Sequence, residues 1–420
     1  MPVSNRLGSN RPASPLPAFP LPASIGVTRV AMSNDPTPNI LAAARRLVPA
    51  ARAARVEAER LRQTPPELAA EIGKAGIYQM YLPRSMGGPE TPPLTAFQVV
   101  EALSIADGSI GWCAMIATAL SMNVARLPVA VGRELAGTPA DYRGSGSARS
   151  GGTAHAVPGG YRVNGRWNFA SGIQNARWLY ATATMVADGT ALKTASGGPL
   201  LRAFWVPREQ VTIVDTWSVM GMRGTGSQDF TVDGVFVPDH RSCLSSDLPR
   251  ETGPLYHPRA WYVHIWTPSA ANALGIAQGA IDTLAEIAAT EASTLSASLL
   301  RDRPAVQARI GEAEGIVGAA RAFVFDAVGR LWDTLVAGDD PSDRQIAQAR
   351  LALVHAMHES VRAVDKVFHA AGTNAIYTSL PLERAFRDIH VAVQHGAALP
   401  VYFEAAGKTR LGLRPSEPGW

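Results

Sequence analysis

Cysteine is nearly absent: Cys113 and Cys243 are the only two among 420 residues. Two distant thiols build neither a disulfide framework nor a zinc site, and their scarcity points to a reducing cytoplasm. Long apolar runs are missing too. The longest, Ile110 to Leu120, falls short of the about eighteen residues that a bilayer-spanning helix needs, and Ser121 and Asn123 follow it. Charged residues make up only 18%, with 39 basic against 35 acidic. Three of the 39 are Arg6, Arg11 and Arg29, in a stretch with no acid before Asp35, which leaves 36 basic residues against the 35 acids. A body so nearly neutral offers no basic groove for nucleic acid.

Several chemistries lack their signatures. No Gly-x-Gly-x-x-Gly follows a strand, and no Walker loop, Gly-x-Ser-x-Gly elbow or His-Glu-x-x-His occurs. His355 and His358 stand at i and i+3 beside Glu359, but with no clear third ligand they read as structural, and no metal is expected.

What is present falls into zones. Residues 1–38 carry eight prolines, from Pro2 to Pro38, among Ser, Ala and Asn. Such a segment cannot hold a helix or bury a core, so disorder is expected. It lacks the apolar core of a secretory signal, and a true start at Met32 explains it more simply than a targeting peptide. Residues 39–140 have helical spacing, first from Ile40 through Leu61, then over Pro93 to Ala106 and Ile110 to Val124. Thr64-Pro-Pro-Glu67 reads as a capping box with proline at the first helical position. Over residues 141–250 the period changes. Tyr161 to Trp167 alternates around Asn164-Gly165, a hairpin signal, and Trp178 to Met185, Leu201 to Val206, Val211 to Val214 and Phe230 to Val237 are short β-rich runs. Residues 251–420 return to helical period, with long helices predicted at 260–290, 304–337, 342–371 and 379–407. Pro304 opens one of them, and Ser342-Asp-Arg-Gln345 caps another. Four such helices with short links make a bundle. The chain is therefore mixed α and β, mainly α.

Three segments carry a family likeness. They are Asp107-Gly-Ser-Ile-Gly-Trp-Cys113; Gly159 to Gly172 with Trp217 to Asp229 and Val235-Phe-Val-Pro238; and Ala371-Gly-Thr-Asn-Ala-Ile-Tyr377 with Pro381 to His390 and Gln394-His395. Together, over residues 40–410, they resemble the acyl-CoA dehydrogenase superfamily. The likeness is nearest to its monooxygenase branch, the oxygenase components of two-component flavin-dependent hydroxylases such as 4-hydroxyphenylacetate hydroxylase. The resemblance implies an N-terminal helical domain, a middle β-barrel-like domain and a C-terminal four-helix bundle. It implies a flavin ring between the β domain and the bundle, completed by a neighbouring subunit of a homotetramer.

The two branches differ in the group that acts on the substrate. A dehydrogenase needs a carboxylate to take an α-proton. Aligned from Arg387-Asp388, the family's usual glutamate falls on Gly396. The alternative site early in the bundle falls on His264-Ile-Trp266, before Leu274-Gly275, and Glu404 is left as a substitute about two turns beyond the first position. An oxygenase needs no such base: reduced flavin (FMNH2 or FADH2), supplied by a separate NAD(P)H-flavin reductase, captures dioxygen as a C4a-peroxide that the protein shields.

In that branch Ser171 matches the serine that hydrogen-bonds flavin N5, and His395 the histidine that orients or deprotonates the substrate; His390 is its competitor. The likeness sets the flavin against Trp112, Phe169, Ser171 and Gly172, with Gly372 and Thr373 in its third segment. Arg223, Thr225 and Ser227 either cradle the flavin or close a glycine turn, and Trp112 either walls the ring or fills the core. Leu120 replaces a second histidine of phenol hydroxylases, and Ser298 an arginine that grips FAD pyrophosphate. The expected function is a reduced-flavin-dependent monooxygenase acting on a small aromatic or heterocyclic molecule. The alternatives are an acyl-CoA dehydrogenase with an unusual base, or a non-catalytic flavin-binding partner subunit.

Overall fold

The computed structural model describes residues 40–138, 142–292 and 298–416. The disorder and the Met32 start expected for residues 1–38 lie outside the described residues. Helices come first: α1 (Ile40–Leu61), α2 (Pro66–Lys74), α3 (Pro93–Ala106), α4 (Gly108–Asn123) and α5 (Val129–Ala136). The anticipated box at Thr64 does not form. Pro65 occupies the N-cap in an extended conformation (ψ 136°) with no side-chain cap bond, because a residue before proline is held out of the helical region and Pro66 follows it. Thr64 thus stands one position too early.

Asp107 does cap α4, accepting from the Ile110 N–H at 2.9 Å. Small residues then draw three helices together. A side chain at Gly111 would strike Ser104 of α3, and so would one at Gly275 of α6 (Trp261–Thr290). Asn272 of α6 donates to Ser104 Oγ and to the Gly108 carbonyl, both at 2.9 Å. The stretch Gly108–Arg126 is apolar and long enough to cross a membrane by composition, but 78% of its most apolar window is buried inside the protein, where it serves as a core helix.

The middle of the chain is one sheet of β1 (Gly144–Val157), β2 (Gly160–Ala170), β3 (Trp178–Ala187), β4 (Thr190–Ala191), β5 (Leu201–Pro207), β6 (Thr212–Val214), β7 (Gln228–Pro238) and β8 (Ser242–Leu244). Its order is β6-β7-β2-β1-β3-β5-β8, with β4 beside β3, and the β1–β3 pair alone is parallel. The sheet encloses a core of its own, built from Trp167 stacked on Phe230 at 5.3 Å together with Leu179 and Phe204.

Asn164-Gly165 is not a turn. It lies inside β2, and the β1–β2 hairpin closes instead at Pro158-Gly159, where Gly159 takes φ +81°. Glycine is needed at 165 because a Cβ there would come 2.4 Å from Gly152 Cα on the paired strand.

The C-terminal bundle contains α6, α7 (Pro304–Val336) and α8 (Asp343–Ala371) close to their expected limits, with Pro304 in the first turn of α7 and a complete capping box between Ser342 and Gln345. The fourth expected helix, 379–407, is broken into α9 (Pro381–Ala392) and α10 (Val401–Arg410). Pro400 forces Leu399 into extended backbone (ψ 132°), and His395 is extended as well (ψ 151°). That break shapes the site.

Candidate active site

Three chain segments meet at Ser171. The first is α4, which carries Trp112 about a turn and a half inside its Asp107 cap. The second is the end of β2, where the backbone leaves the sheet through Phe169 (φ +63°) and Gly172 (φ +75°). The third is the turn Arg223–Thr225, entered through Met222 (φ +55°) and left through Gly226 (φ +50°). A Cβ at Gly226 would lie 2.3 Å from the Arg62 carbonyl, so this turn can close only with glycine there.

The side chains interlock. The Trp112 indole N–H donates to Ser171 Oγ at 3.0 Å. Ser171 Oγ and Ser227 Oγ are 2.6 Å apart, Ser227 Oγ and Thr225 Oγ1 are 2.6 Å apart, and Thr225 Oγ1 donates to the Met222 carbonyl at 2.8 Å. The Ser171 backbone is pinned as well: its N–H donates to the Phe169 carbonyl, and the Ser171 carbonyl accepts from Ser145 Oγ at 2.8 Å. All three hydroxyl residues are buried. Gly172 joins through its N–H, which donates to the Thr225 carbonyl at 2.8 Å.

A fourth segment, the break between α9 and α10, brings His395 edge-on to Trp112, with ring centroids 5.2 Å apart at 90°. Desolvation of the imidazole pushes its pKa down to about 4, so the ring is neutral at physiological pH. Nδ1 accepts from the Ala397 N–H at 3.3 Å, which leaves the ring proton on Nε2. As arranged, the free nitrogen is a donor.

An ionic clamp holds the third segment against the bundle. Asp388 of α9 accepts from the Met222 N–H. Burial, and then the neighbouring Asp107, push the Asp388 carboxyl up to about 7. Glu59 of α1 pairs with Arg384 at 2.6 Å, Arg387 at 2.8 Å and Arg223 at 3.3 Å.

Of the residues expected at the site, the structure brings together Trp112, Ser171, Gly172, Thr225, Ser227 and His395. Phe169 flanks them, half open to solvent at 51% exposure and edge-on to Trp217 at 6.2 Å. The Arg223 guanidinium is committed to Glu59 and the Val219 carbonyl. Gly372 and Thr373 are exposed on the turn Gly372–Ala375 after α8 and are not members of this network. His390 faces Asp365 of α8 at 3.1 Å, and His358 Nε2 lies 2.9 Å from the Ala398 carbonyl. Ser145, Met222 and Asp388 are structural neighbours of this cluster that sequence reasoning missed. Asp388 did carry a signal, since it sits in the Arg-Asp pair used to align the chain.

Residues 39–127 match the acyl-CoA dehydrogenase N-terminal domain, and residues 268–400 match the acyl-CoA dehydrogenase C-terminal domain. The chain is 30% identical over 363 residues to the flavin-dependent monooxygenase oxygenase subunit HsaA of Rhodococcus jostii, covering 84% of this chain and 93% of that one. This chain belongs to the acyl-CoA dehydrogenase family. It is likewise 30% identical to indole-3-acetate monooxygenase of Pseudomonas putida over 345 residues, 82% of this chain and 86% of that one. The structure of XiaF from Streptomyces, in complex with FADH2 and glycerol, superposes with a TM-score of 0.81 at 26% identity, covering 90% of this chain and 96% of that one. Within the acyl-CoA dehydrogenase family the chain stands with flavin-dependent monooxygenases rather than with dehydrogenases.

The acids expected of an acyl-CoA dehydrogenase are not at the Ser171–His395 cluster. Gly396 opens the short turn beside His395, and Glu404 is exposed on α10 and paired with Lys408 at 2.8 Å. His264 is fully buried, with Nδ1 on the Leu255 carbonyl at 2.8 Å. Among the described residues, the polar partners of Ser171, Trp112 and His395 are hydroxyls, an indole and backbone groups.

Proposed function

We propose that this chain is the oxygenase component of a two-component monooxygenase, which inserts one oxygen atom into a small aromatic or heterocyclic molecule. A separate NAD(P)H-flavin reductase supplies its reduced flavin, FMNH2 or FADH2. The observation that carries this reading is the company His395 keeps: Gly396 beside it, Trp112 against it and the Ser171 hydroxyl behind Trp112, with no carboxylate among their polar partners in the described residues. A flavin fits this cluster, because a fixed, buried hydroxyl beside the Trp112 ring suits the polar edge of a flat ring.

When bound, reduced flavin supplies the electrons that divide dioxygen between product and water. The chain's own residues do the rest. Ser171, held in place by Trp112, Ser227 and its pinned backbone, would hold the polar edge of the ring. Trp112, set between Ser171 and His395, would wall the ring on the α4 side. His395 donates from Nε2 to a substrate oxygen or heteroatom and so orients the substrate; with Nδ1 engaged by Ala397, orientation suits it better than proton removal. Burial of the hydroxyl chain keeps water from that edge of the site. Gly372 and Thr373 reach a flavin only across an interface, in a homotetramer. The exposed Ile376 (61%) and Tyr377 (58%) beside them favour that assembly.

The reading is tested by supplying NADH, flavin, a generic reductase and a panel of phenols, indoles and fused thiophenes. Substrate-dependent product heavier by one oxygen is expected, and acyl-CoA added without oxygen leaves oxidised flavin unbleached. Desaturated acyl-CoA in place of oxygenated product would overturn it.

A further inference from the structure

Three hydroxyls in a row, each with one proton, leave the hydrogen bonds at Ser171 a single direction. Thr225 Oγ1 lies 2.8 Å from the Met222 carbonyl, which can only accept, so the Thr225 proton is spent there. Thr225 Oγ1 must then accept from Ser227 across 2.6 Å. Ser227, its own proton used, must accept from Ser171 across 2.6 Å. The Trp112 N–H meanwhile donates to Ser171 Oγ. A hydroxyl has one donor and two acceptor positions. Ser171 has given away its proton and filled one acceptor position, so it presents a lone pair to any ligand.

That polarity matters to a flavin. The reduced ring carries a hydrogen on N5 and donates there, whereas the oxidised ring has a bare nitrogen with an outward lone pair. A reduced flavin completes the Ser171 bonding pattern, and an oxidised flavin sets one lone pair against another. We propose that Thr225 and Ser227 are positioning residues that lock Ser171 as an acceptor, so that this pocket selects reduced over oxidised flavin. The proposal rests on the reading above, in which Ser171 holds the polar edge of the ring, and takes N5 as the atom it meets there. Both residues act at one remove, through Ser171. Selection of this kind suits a protein that takes its flavin from a reductase and must release it once oxidised.

The test measures dissociation constants for oxidised and reduced flavin, with FMN and FAD in turn. The oxidised form is titrated in air by fluorescence, and the reduced form is titrated anaerobically after photoreduction. The wild-type protein is expected to favour the reduced form by about tenfold or more, the worth of one ordinary hydrogen bond gained or opposed. Ser227→Ala removes the acceptor that takes the Ser171 proton. Thr225→Val lets the Ser227 proton turn toward Ser171. In both variants Ser171 can donate, so the oxidised form binds more tightly and the preference falls by about tenfold. Ser227→Thr keeps the hydroxyl and the wild-type preference.

If both variants bind flavin with a preference within about twofold of wild type, or weaken both forms equally, the polarity argument is overturned while the flavin site stands. If the wild-type protein binds neither form, the flavin reading itself fails and takes this proposal with it.

Discussion

His395 titrates far from neutrality because its imidazole is desolvated, with a pKa pushed down to about 4. A base of ordinary pKa would lose activity as pH fell through 6.5. A neutral donor has no such limb, so the part of kcat/KM that depends on His395 should stay flat from about pH 6 to pH 8. His395→Ala should lower kcat/KM by about tenfold, and His395→Gln should recover part of the loss, because its amide can still donate. A falling acid limb near pH 6.5 that vanishes in His395→Ala would show a proton acceptor instead. At this scale the motifs pointed to residues that the fold does gather, since Ser171 and His395 both touch Trp112. The sequence was silent on Met222 and Ser145, which act through backbone and side-chain atoms that any residue pattern could hide. The Arg223 side chain is a different case, since only the folded chain sets it against Glu59 from 164 positions away.

Helix ends were readable when their signals were local and uncontested. The Ser342–Gln345 box formed because nothing stands between cap and helix, whereas two prolines after Thr64 moved the start of α2 one residue on. Ser342→Ala should therefore destabilise the protein by about 1 kcal/mol in denaturant unfolding, while Thr64→Ala should leave the α2 cap unaffected. Equal losses would contradict that distinction. The break between α9 and α10 was signalled by Gly396 and Pro400, but apolar spacing on both sides read as one continuous helix. Strand β1 was missed because Gly144-Ser-Gly-Ser has little strand propensity. Its glycines are there for closeness: a Cβ at Gly151 or Gly152 would strike Trp167.

Two buried groups set opposing pH dependences on the whole molecule. His264, fully enclosed, has its pKa pushed down to about 4 by burial, against 6.5 in the unfolded chain. The unfolded state binds the extra proton between those values, so stability falls as pH drops from 6.5 toward 4, by about 3 kcal/mol from this residue. Asp388, raised to about 7 by burial and by Asp107, works the other way, and its contribution is lost as pH rises from 3.8 through 7. Subtracting the unfolding curve of His264→Gln from that of wild type isolates the histidine. The wild type should lose stability more steeply below pH 6.5, and parallel curves would show that His264 is protonated as easily in the fold as out of it. The three zones were visible in the sequence because periodicity changes between them, and the sheet's own core, separate from the helical one, explains why the change is so clean.

The central claim is that oxygen from dioxygen, not a proton removed by a carboxylate, is what this site manages. The direct measurement is mass spectrometry of product formed under isotopically heavy dioxygen in ordinary water, with reduced flavin delivered by a reductase. One heavy oxygen atom per product molecule, lost in favour of hydrogen peroxide in Ser171→Ala, is the expected result. Product whose oxygen comes from water, or oxidation that proceeds equally well without dioxygen, would contradict it.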